Sequence, residues 1–234
     1  MSEQSHRRSA CAQRTEGVTL DHVAPLYDWL APVMMLGMES GMQRQVIAAL
    51  DLDTPLAVLD AGCGTGALTR KIFDAMPGGP GRRVVGVDAA EAMIRIAQRK
   101  AGNRDGLLFE ASLAESLPHP GECFDRVVST LFFHHLHYAL KVRALDELWR
   151  VLRPGGRGVV LDVDIPYTRF GKLCAMGGYW LFQQPEILEN IRGRLREALD
   201  ASAFKGAWRI TSRHNGYISL FELQKPTTGK DRVG

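Results

Sequence analysis

Hydrophobic positions recur with two different spacings along most of this chain. Short, nearly continuous apolar runs predict strands that are covered on both faces. Five such runs occur, at residues 56–60, 83–88, 107–110, 124–130 and 156–163. Between several of them, apolar residues lie three and four positions apart, which predicts helices. Strands that alternate with helices are typical of a parallel sheet with helices on both faces, so the pattern predicts an α/β fold.

Three segments have the helical spacing. Residues 93–97 and 145–152 predict two of the helices. The second should end in a turn at residues 153–156, because proline and glycine stop a helix. Residues 188–199 predict one further helix toward the C-terminus.

The C-terminal part of the chain predicts a β-hairpin. Asn215 and Gly216 form a dipeptide that favours the tight turn between two antiparallel strands. Strand-like runs flank this dipeptide at residues 207–213 and 217–223. We therefore expect two strands here that pair with each other.

Composition narrows the possible classes of function. The chain has 234 residues, of which 45% are hydrophobic and 24% charged, enough for one large domain with a buried core. The formal net charge is +3 and no run of five basic residues occurs, so nucleic acid is not an expected partner. The four cysteines lie far apart, which favours neither a zinc site nor a disulfide framework and fits a reducing cytoplasm. No window approaches the roughly 18 apolar residues of a transmembrane segment.

The expected domain limits follow the same patterns. Residues 1–18 are polar and lack the apolar core of a secretory signal, so we expect a disordered leader. Residues 19–50 should form an N-terminal helical lid, residues 51–225 the main domain, and residues 226–234 a disordered tail. An aromatic-rich insertion at residues 165–184 should interrupt the main domain.

A glycine-rich loop follows the first predicted strand. Gly62, Gly64 and Gly66 open a helix, and without side chains they let the backbone approach a ligand. Asp88 lies 22 residues after Gly66, at the end of the second predicted strand. A carboxylate at this position can accept hydrogen bonds from two adjacent ribose hydroxyls. Loop and carboxylate together predict a nucleotide-type site.

Asp60 distinguishes two classes of ligand. The spacing of Gly62, Gly64 and Ala67 also fits a dinucleotide fingerprint, which leaves a nicotinamide-dependent dehydrogenase as an alternative. An acid just before the loop would repel a pyrophosphate. It can instead bind the cationic amino group of a methionine-like ligand, directly or through water. The other interpretation is that Asp60 caps the turn and the glycines only pack closely.

Four short motifs stand in order along the chain. They are LDAGCGTG at residues 59–66, VDAAEAM at 87–93, FDRVV at 124–128 and LRPGG at 152–156. Together they resemble the successive motifs of class I S-adenosylmethionine (SAM)-dependent methyltransferases, particularly those similar to the ubiquinone/menaquinone-biosynthesis C-methyltransferases. The resemblance covers roughly residues 27–225. It implies a Rossmann-like seven-stranded, mostly parallel sheet of order 3-2-1-4-5-7-6 with strand 7 antiparallel, SAM as cofactor and S-adenosylhomocysteine as product.

The resemblance also assigns residues to the cofactor site. It implies that Met93 lies beside the adenine and that Tyr27 closes over the amino-acid end of the cofactor. Ser112 departs from the family, which often has an Asp there that accepts a hydrogen bond from the adenine amino group. The expected cofactor-binding residues are Tyr27, Asp60, Gly62, Gly64, Gly66, Asp88, Ala89, Met93, Ser112, Leu113 and Thr130.

Three histidines follow the fourth predicted strand, where the crevice of such a sheet holds its ligand. His134 or His135 would be able to take a proton from a methyl acceptor. Methyl transfer is an in-line displacement that alignment alone can accelerate, so a base is optional. The alternative is that His134, His135 and His137 form a loop-to-helix junction without a catalytic role. They lack the i, i+4 spacing typical of metal ligands, so no metal is expected.

The methyl acceptor should be small and partly apolar. Residues 27–38 are rich in methionine and aromatic side chains and resemble the lid of related enzymes, although they would also suit packing on the sheet edge. Together with residues 165–184 they are candidate walls of an acceptor pocket. A quinone-like ring, a lipid amine or a small metabolite would fit. A catalytically inactive SAM-binding regulatory protein is the alternative from another class, and the oligomeric state stays open.

Overall fold

The computed structural model describes Cys11, residues 39–182 and residues 184–227. Its strands are β1 (Ala57–Ala61), β2 (Arg83–Asp88), β3 (Leu107–Ala111), β4 (Phe124–Thr130), β5 (Leu152–Val163), β6 (Trp208–His214) and β7 (Ile218–Gln224). They form one sheet of order β3-β2-β1-β4-β5-β7-β6. All neighbours pair in parallel except β7, which is antiparallel to both β5 and β6. The expected fold class is therefore confirmed.

Helices pack against the two faces of this sheet. The described helices are α1 (Glu39–Leu50), α2 (Ala67–Ala75), α3 (Glu91–Ala101), α4 (Tyr138–Val151), α5 (Arg169–Phe182), α6 (Pro185–Ile191) and α7 (Arg194–Ala201), with a 3-10 turn at Phe133–His135. Apolar residues of α1, α2 and α3 form a core cluster on one face. Those of α4 and α7 form a second cluster on the other face.

Strand β1 shows why the strands have nearly continuous apolar sequences. All five of its residues are buried. Leu59 packs in the cluster with α4 and α7, whereas its neighbour Val58 packs in the cluster with α1, α2 and α3. Successive side chains of a strand point to opposite faces, so a strand covered on both faces needs apolar residues throughout. Asp60 is the polar exception in β1, and it belongs to the candidate site.

Strands β6 and β7 form the predicted hairpin. Asn215 has a φ of 52° and Gly216 a φ of 79°. These are the two left-handed residues that a type I′ turn requires. Each strand lies one residue later in the chain than predicted.

The turn expected at residues 153–156 is wrong, because these residues belong to a strand. Helix α4 ends at Val151, and β5 begins at the next residue. Pro154 lies where the pairing of β4 with β5 shifts register, and such irregularities are among the few places in a sheet that accept proline. Gly155 has a φ of 79°, and its N–H donates to the carbonyl of Lys225 at 2.9 Å. Proline and glycine therefore shape a bulge here and do not reverse the chain.

The single helix expected at residues 188–199 is also wrong, because two helices, α6 and α7, occupy this stretch. Gly193 separates them with a φ of 93°, a conformation that no α-helix contains. Asn190 is fully buried before the break, and its Nδ2 donates to the carbonyl of Val163 at 3.1 Å. The apolar spacing continues across the break, which is why the sequence pattern indicated one helix.

Several expectations concern residues outside the described part of the chain. They are the leader at 1–18 apart from Cys11, the segment 27–38 with Tyr27, and residues 228–234 of the tail. Helix α1 lies within the expected lid region, and α5 lies within the expected insertion. The domain limits themselves stay predictions. Among the described residues, no helix is long and apolar enough to cross a bilayer.

Candidate active site

The glycine-rich loop connects β1 to α2 through left-handed backbone conformations. Gly62, Gly64 and Gly66 have φ angles of 75°, 52° and 71°. Residues with a Cβ are disfavoured in this region. A Cβ on Gly62 would lie 2.4 Å from the ring of Phe132, and a Cβ on Gly66 would lie 2.4 Å from the ring of Phe109. These two positions therefore need glycine for space as well as for conformation.

Asp88 is hydrogen-bonded to this loop. It ends β2, and its Oδ2 accepts a hydrogen bond from the N–H of Gly64 at 2.9 Å. Its Oδ1 accepts a hydrogen bond from the N–H of Ala90 at 2.8 Å. The N–H of Gly62 in turn donates to the carbonyl of Val87 at 2.9 Å. The loop and the end of β2 are thereby fixed relative to each other, with the carboxylate between them.

Asp60 lies immediately before the loop and has one unpaired buried oxygen. The residue is 1% exposed. Its Oδ2 accepts a hydrogen bond from Thr69 Oγ1 at 2.6 Å. Its Oδ1 has no hydrogen-bond partner among the described residues. Burial raises the pKa of Asp60 to about 7, with the hydrogen bond from Thr69 opposing the shift and the charge of Asp88 adding to it. A buried acceptor of this kind fits a cationic donor.

One cleft brings together most of the expected cofactor residues. It has a volume of about 120 Å³ and lies where β1, β2 and β4 end, next to the point at which the strand order reverses. Its lining includes Gly62, Gly64, Asp88, Ala89, Met93 and Thr130. A larger cavity of about 350 Å³, beside Trp208, Arg209 and Glu222, contains none of the expected residues. The chemistry of the lining identifies the smaller cleft as the candidate site.

Asp162, near the end of β5, organises the turn that contains the histidines. Its Oδ2 accepts hydrogen bonds from the N–H groups of Phe132 and Phe133, at 2.9 and 2.7 Å. Its Oδ1 lies 2.8 Å from His134 Nδ1. Burial alone would raise the pKa of Asp162, but the charge and hydrogen bond of His134, with the backbone donors, outweigh burial and lower it. Asp162 is therefore a carboxylate, and His134 donates from Nδ1 to it.

His135 reaches the cleft from the same turn. Its Nδ1 lies 3.1 Å from Gln184 Oε1. An amide oxygen only accepts hydrogen bonds, so Nδ1 has the proton and Nε2 keeps the lone pair. Burial, together with the charge of the adjacent His134 ring, lowers the pKa of His135 to about 3. His135 is therefore neutral at physiological pH, and it lines the cleft whereas His134 does not.

Comparison with known proteins identifies the class of the domain that contains this site. Residues 58–156 match the family model of a methyltransferase domain. The chain is 33% identical over 153 residues to the demethylmenaquinone methyltransferase of Symbiobacterium thermophilum, which covers 64% of this chain and 59% of that protein. It is 30% identical over 153 residues to the ubiquinone/menaquinone biosynthesis C-methyltransferase UbiE of Geobacter sulfurreducens, which covers 64% of this chain and 58% of that protein.

The fold agrees with this comparison. The crystal structure of a SAM-dependent methyltransferase from Aquifex aeolicus matches with a TM-score of 0.61 at 16% identity, covering 89% of this chain and all of that one. This chain contains a class I SAM-dependent methyltransferase domain. The matched region spans about three fifths of the length of the two curated relatives, at 59% and 58%.

Of the expected cofactor-binding residues that the structure describes, four lie outside the lining of the cleft. Asp60 and Gly66 belong to the same segment as the loop. Ser112 and Leu113 follow β3 in the methyltransferase domain and are each 8% exposed. The N–H of Ser112 donates to the carbonyl of Asp88 at 3.0 Å, so Ser112 adjoins the cleft through the backbone of its neighbour. A role for Ser112 and Leu113 toward an adenine stays a prediction.

Two contributions to the candidate site were not predicted from the sequence. Met42, Gln43 and Val46 of α1 line the cleft, so this helix forms a wall and not only an expected lid. The four-residue spacing of Met42 and Val46 is the signal for such a face. Asp162 was missed too, and its signal is a lone acid in the apolar run of β5. A buried acid in such a strand needs donors from elsewhere in the fold.

Proposed function

We propose that this protein transfers the methyl group of SAM to a small, partly apolar acceptor. One observation carries the proposal: the unpaired buried oxygen of Asp60 lies directly before the glycine loop that holds the carboxylate of Asp88. SAM is the typical methyl donor of the methyltransferase domain family, and S-adenosylhomocysteine is its product. The whole protein's reaction and acceptor are inferences from this site.

The residues of the cleft fit the groups of SAM. Asp60 offers a buried acceptor with a raised pKa, and a cationic amino group would satisfy its free oxygen and favour its ionised form. Asp88 would accept hydrogen bonds from the ribose hydroxyls, because the loop already fixes its orientation. Met93 is 2% exposed and lines the cleft, where it would pack against an adenine.

His135 is the residue that we propose as general base. Bound SAM supplies a methyl group on a sulfonium, so the protein has to align the acceptor and receive its proton. The neutral imidazole of His135 lines the cleft and keeps a lone pair on Nε2. A base with so low a pKa can take a proton only from an acceptor atom that becomes strongly acidic as the methyl group arrives, such as a hydroxyl oxygen.

His134 and Asp162 act as positioning residues for this base. Asp162 binds the two backbone N–H groups at the start of the turn and the ring of His134. The centroids of the His134 and His135 rings are 4.1 Å apart, so fixing one ring restricts the other. Gln184, the residue just before α6, contacts the ring of His135 from the other side. Together these contacts would keep Nε2 of His135 in one orientation during transfer.

The walls of the cleft favour an acceptor with an apolar part. Apolar side chains that line it are Met42, Val46, Leu131, Phe132 and Leu161. A quinone-like ring, a lipid amine or a small metabolite with an apolar portion would pack against such walls. The likeness to a demethylmenaquinone methyltransferase supports the quinone-like ring as the first acceptor to test.

Turnover of SAM with separate acceptor pools tests the proposal. Formation of S-adenosylhomocysteine that requires both the protein and one pool of quinone analogues, phenols or lipid amines is the expected result. Asp88→Ala should abolish it, whereas Asp53→Ala, an exposed acid before β1, should not. Tight SAM binding without turnover in any pool would favour a SAM-binding regulatory protein. An absorbance change with a nicotinamide cofactor would favour a dehydrogenase.

A further inference from the structure

Helix α5 exposes large apolar side chains on its outer face. We define this face by Phe170, Leu173 and Trp180, which are 63%, 71% and 70% exposed. Their spacing of three and then seven residues places them on one side of the helix. Of the six exposed large apolar residues in the described part of the chain, five lie between Ile165 and Trp180. The exposed apolar surface is therefore concentrated in one region.

The buried residues among positions 169–180 of α5 are small. Gly171 is buried and Ala175 is 2% exposed. A Cβ on Gly171 would lie 2.2 Å from the carbonyl oxygen of Gly216 in the turn between β6 and β7. This close approach holds the helix on the hairpin while the large side chains point away. A helix of a globular protein normally buries its large apolar residues, so the reversal indicates that the outer face meets another apolar surface.

Positive charge surrounds the outer face. Arg169 and Lys172 are exposed on the same helix. Arg213 lies 5.3 Å from the ring of Tyr167, just before the helix. Residues 165–185 contain no Asp or Glu. Apolar groups with flanking cations and a tryptophan are the combination that binds anionic headgroups and inserts at the edge of the acyl region.

We propose that the outer face of α5 docks this protein on the surface of an anionic phospholipid bilayer, with the helix lying in the membrane plane. The helix has 14 residues, which is too short to span the hydrocarbon core but suits a surface helix. The bilayer offers both ionic and apolar contacts to this face. Its anionic headgroups would pair with Arg169 and Lys172. Its acyl chains would pack against Phe170, Leu173 and Trp180.

Docking would bring the membrane close to the histidine side of the cleft. Gln184 follows α5 by two residues and holds the ring of His135. A membrane-dissolved acceptor would then reach the site without crossing bulk water. Direct access of such an acceptor rests on the proposed function, whereas lipid binding by α5 does not. The experiment therefore measures lipid binding alone.

Co-sedimentation of the full chain with vesicles tests the proposal. Vesicles of phosphatidylcholine with about one third phosphatidylglycerol should bind the protein, and pure phosphatidylcholine should bind it much less. The combined variant Phe170→Ser, Leu173→Ser and Trp180→Ser should bind anionic vesicles roughly tenfold or more weakly. Arg169→Gln with Lys172→Gln should weaken binding by about fivefold for each charge removed, and only for anionic vesicles.

Leu108→Ser provides the matched control. Leu108 is 46% exposed on β3, at the opposite edge of the sheet, so its replacement removes an exposed apolar residue outside the proposed face. This variant should bind vesicles like the unmodified protein.

Two results with vesicles would overturn the proposal. They are binding of the triple variant that equals binding of the unmodified protein, and no binding of the unmodified protein to anionic vesicles. The proposal would also be overturned if the unmodified protein and Leu108→Ser formed a concentration-dependent dimer and the triple variant did not. A second copy of the chain would then cover the outer face of α5. Circular dichroism confirms that each variant is folded.

Discussion

At the scale of single residues, Asp60 has the most testable chemistry. Its raised pKa, about 7, has a direct consequence for the ligand-free protein. A carboxyl whose pKa is higher in the folded than in the unfolded state stabilises folding below its unfolded pKa, near 3.9, and this stabilisation is lost as the pH rises through about 7. The cause is burial, so a bound cation would reverse the trend.

We predict that SAM affinity rises with pH below about 7 because binding of a cationic amino group requires ionised Asp60. The dissociation constant should fall by up to about tenfold per pH unit between pH 5.5 and 7. Titration calorimetry at several pH values measures this. Asp60→Asn should bind more weakly and with a flat pH dependence, so the same slope in both proteins would contradict the role of Asp60.

Gly62 and Gly81 form a matched pair for testing the loop. Both have positive φ, 75° and 84°, so alanine strains the backbone at each. A Cβ on Gly62 would collide with the ring of Phe132, which lines the cleft, whereas a Cβ on Gly81 would meet nothing within 4 Å. We predict that Gly62→Ala lowers SAM affinity by roughly tenfold or more, and that Gly81→Ala costs about 1 kcal/mol of stability without affecting affinity. Calorimetry and urea unfolding separate these effects, and equal affinities would refute the assignment of the loop.

At the scale of elements, the 3-10 turn after β4 contains the proposed base. Replacing His135 by Phe keeps an aromatic ring of similar size but removes Nε2. We predict that His135→Phe lowers the rate of methyl transfer by about a hundredfold while SAM affinity changes little. His214→Phe, in the β6–β7 hairpin, is the control and should leave the rate unchanged. An unchanged rate in His135→Phe would instead support a packing role for the histidines.

Lys141 joins two elements behind the site. It is fully buried in α4, and its Nζ donates to Glu189 of α6 at 3.0 Å and to the carbonyl of Leu136. Burial lowers the pKa of Lys141, and the contacts with Glu189 oppose this shift. We predict that Lys141→Ala lowers the free energy of unfolding by roughly 3 kcal/mol, measured by urea denaturation, since it leaves a cavity and an unpaired Glu189. Lys205→Ala, an exposed lysine, should cost much less.

The strands and the glycine-rich loop were predictable because their signals are local. β1 and the central residues of β2 are buried on both faces, so burial appears directly as a nearly continuous apolar sequence. The loop is encoded by glycines at fixed spacing. The break at Gly193 was not predictable from periodicity, because a single residue of positive φ interrupts a helix without interrupting its apolar spacing.

The partners of the histidines were not predictable for a different reason. Asp162 lies 28 residues after His134, and Gln184 lies 49 residues after His135. These contacts exist only because β5 pairs with β4 and α6 folds back over the turn. No local pattern encodes them. The same holds for α1, whose wall of the cleft depends on how the helix packs against the sheet.

At the scale of the whole molecule, the strand order gathers the site. β1 lies between β2 and β4. The loop after β1, the acid that ends β2 and the turn after β4 therefore meet at the end of the sheet where these strands terminate. A crevice at this switch point is where open α/β sheets bind their ligands. α5 follows β5 from the same end of the sheet, and its outer face is exposed. The proposed cofactor site and the proposed membrane face thus belong to one end of the fold.

The proposed methyl transfer is best followed with SAM that has an isotopic label in its methyl group. Mass spectrometry should find the label on one class of acceptor, with one S-adenosylhomocysteine formed for each labelled acceptor molecule. Asp88→Ala should form neither product, and His135→Phe should form both slowly. Label that stays on SAM with every acceptor class, although the protein binds SAM tightly, would contradict a methyltransferase function.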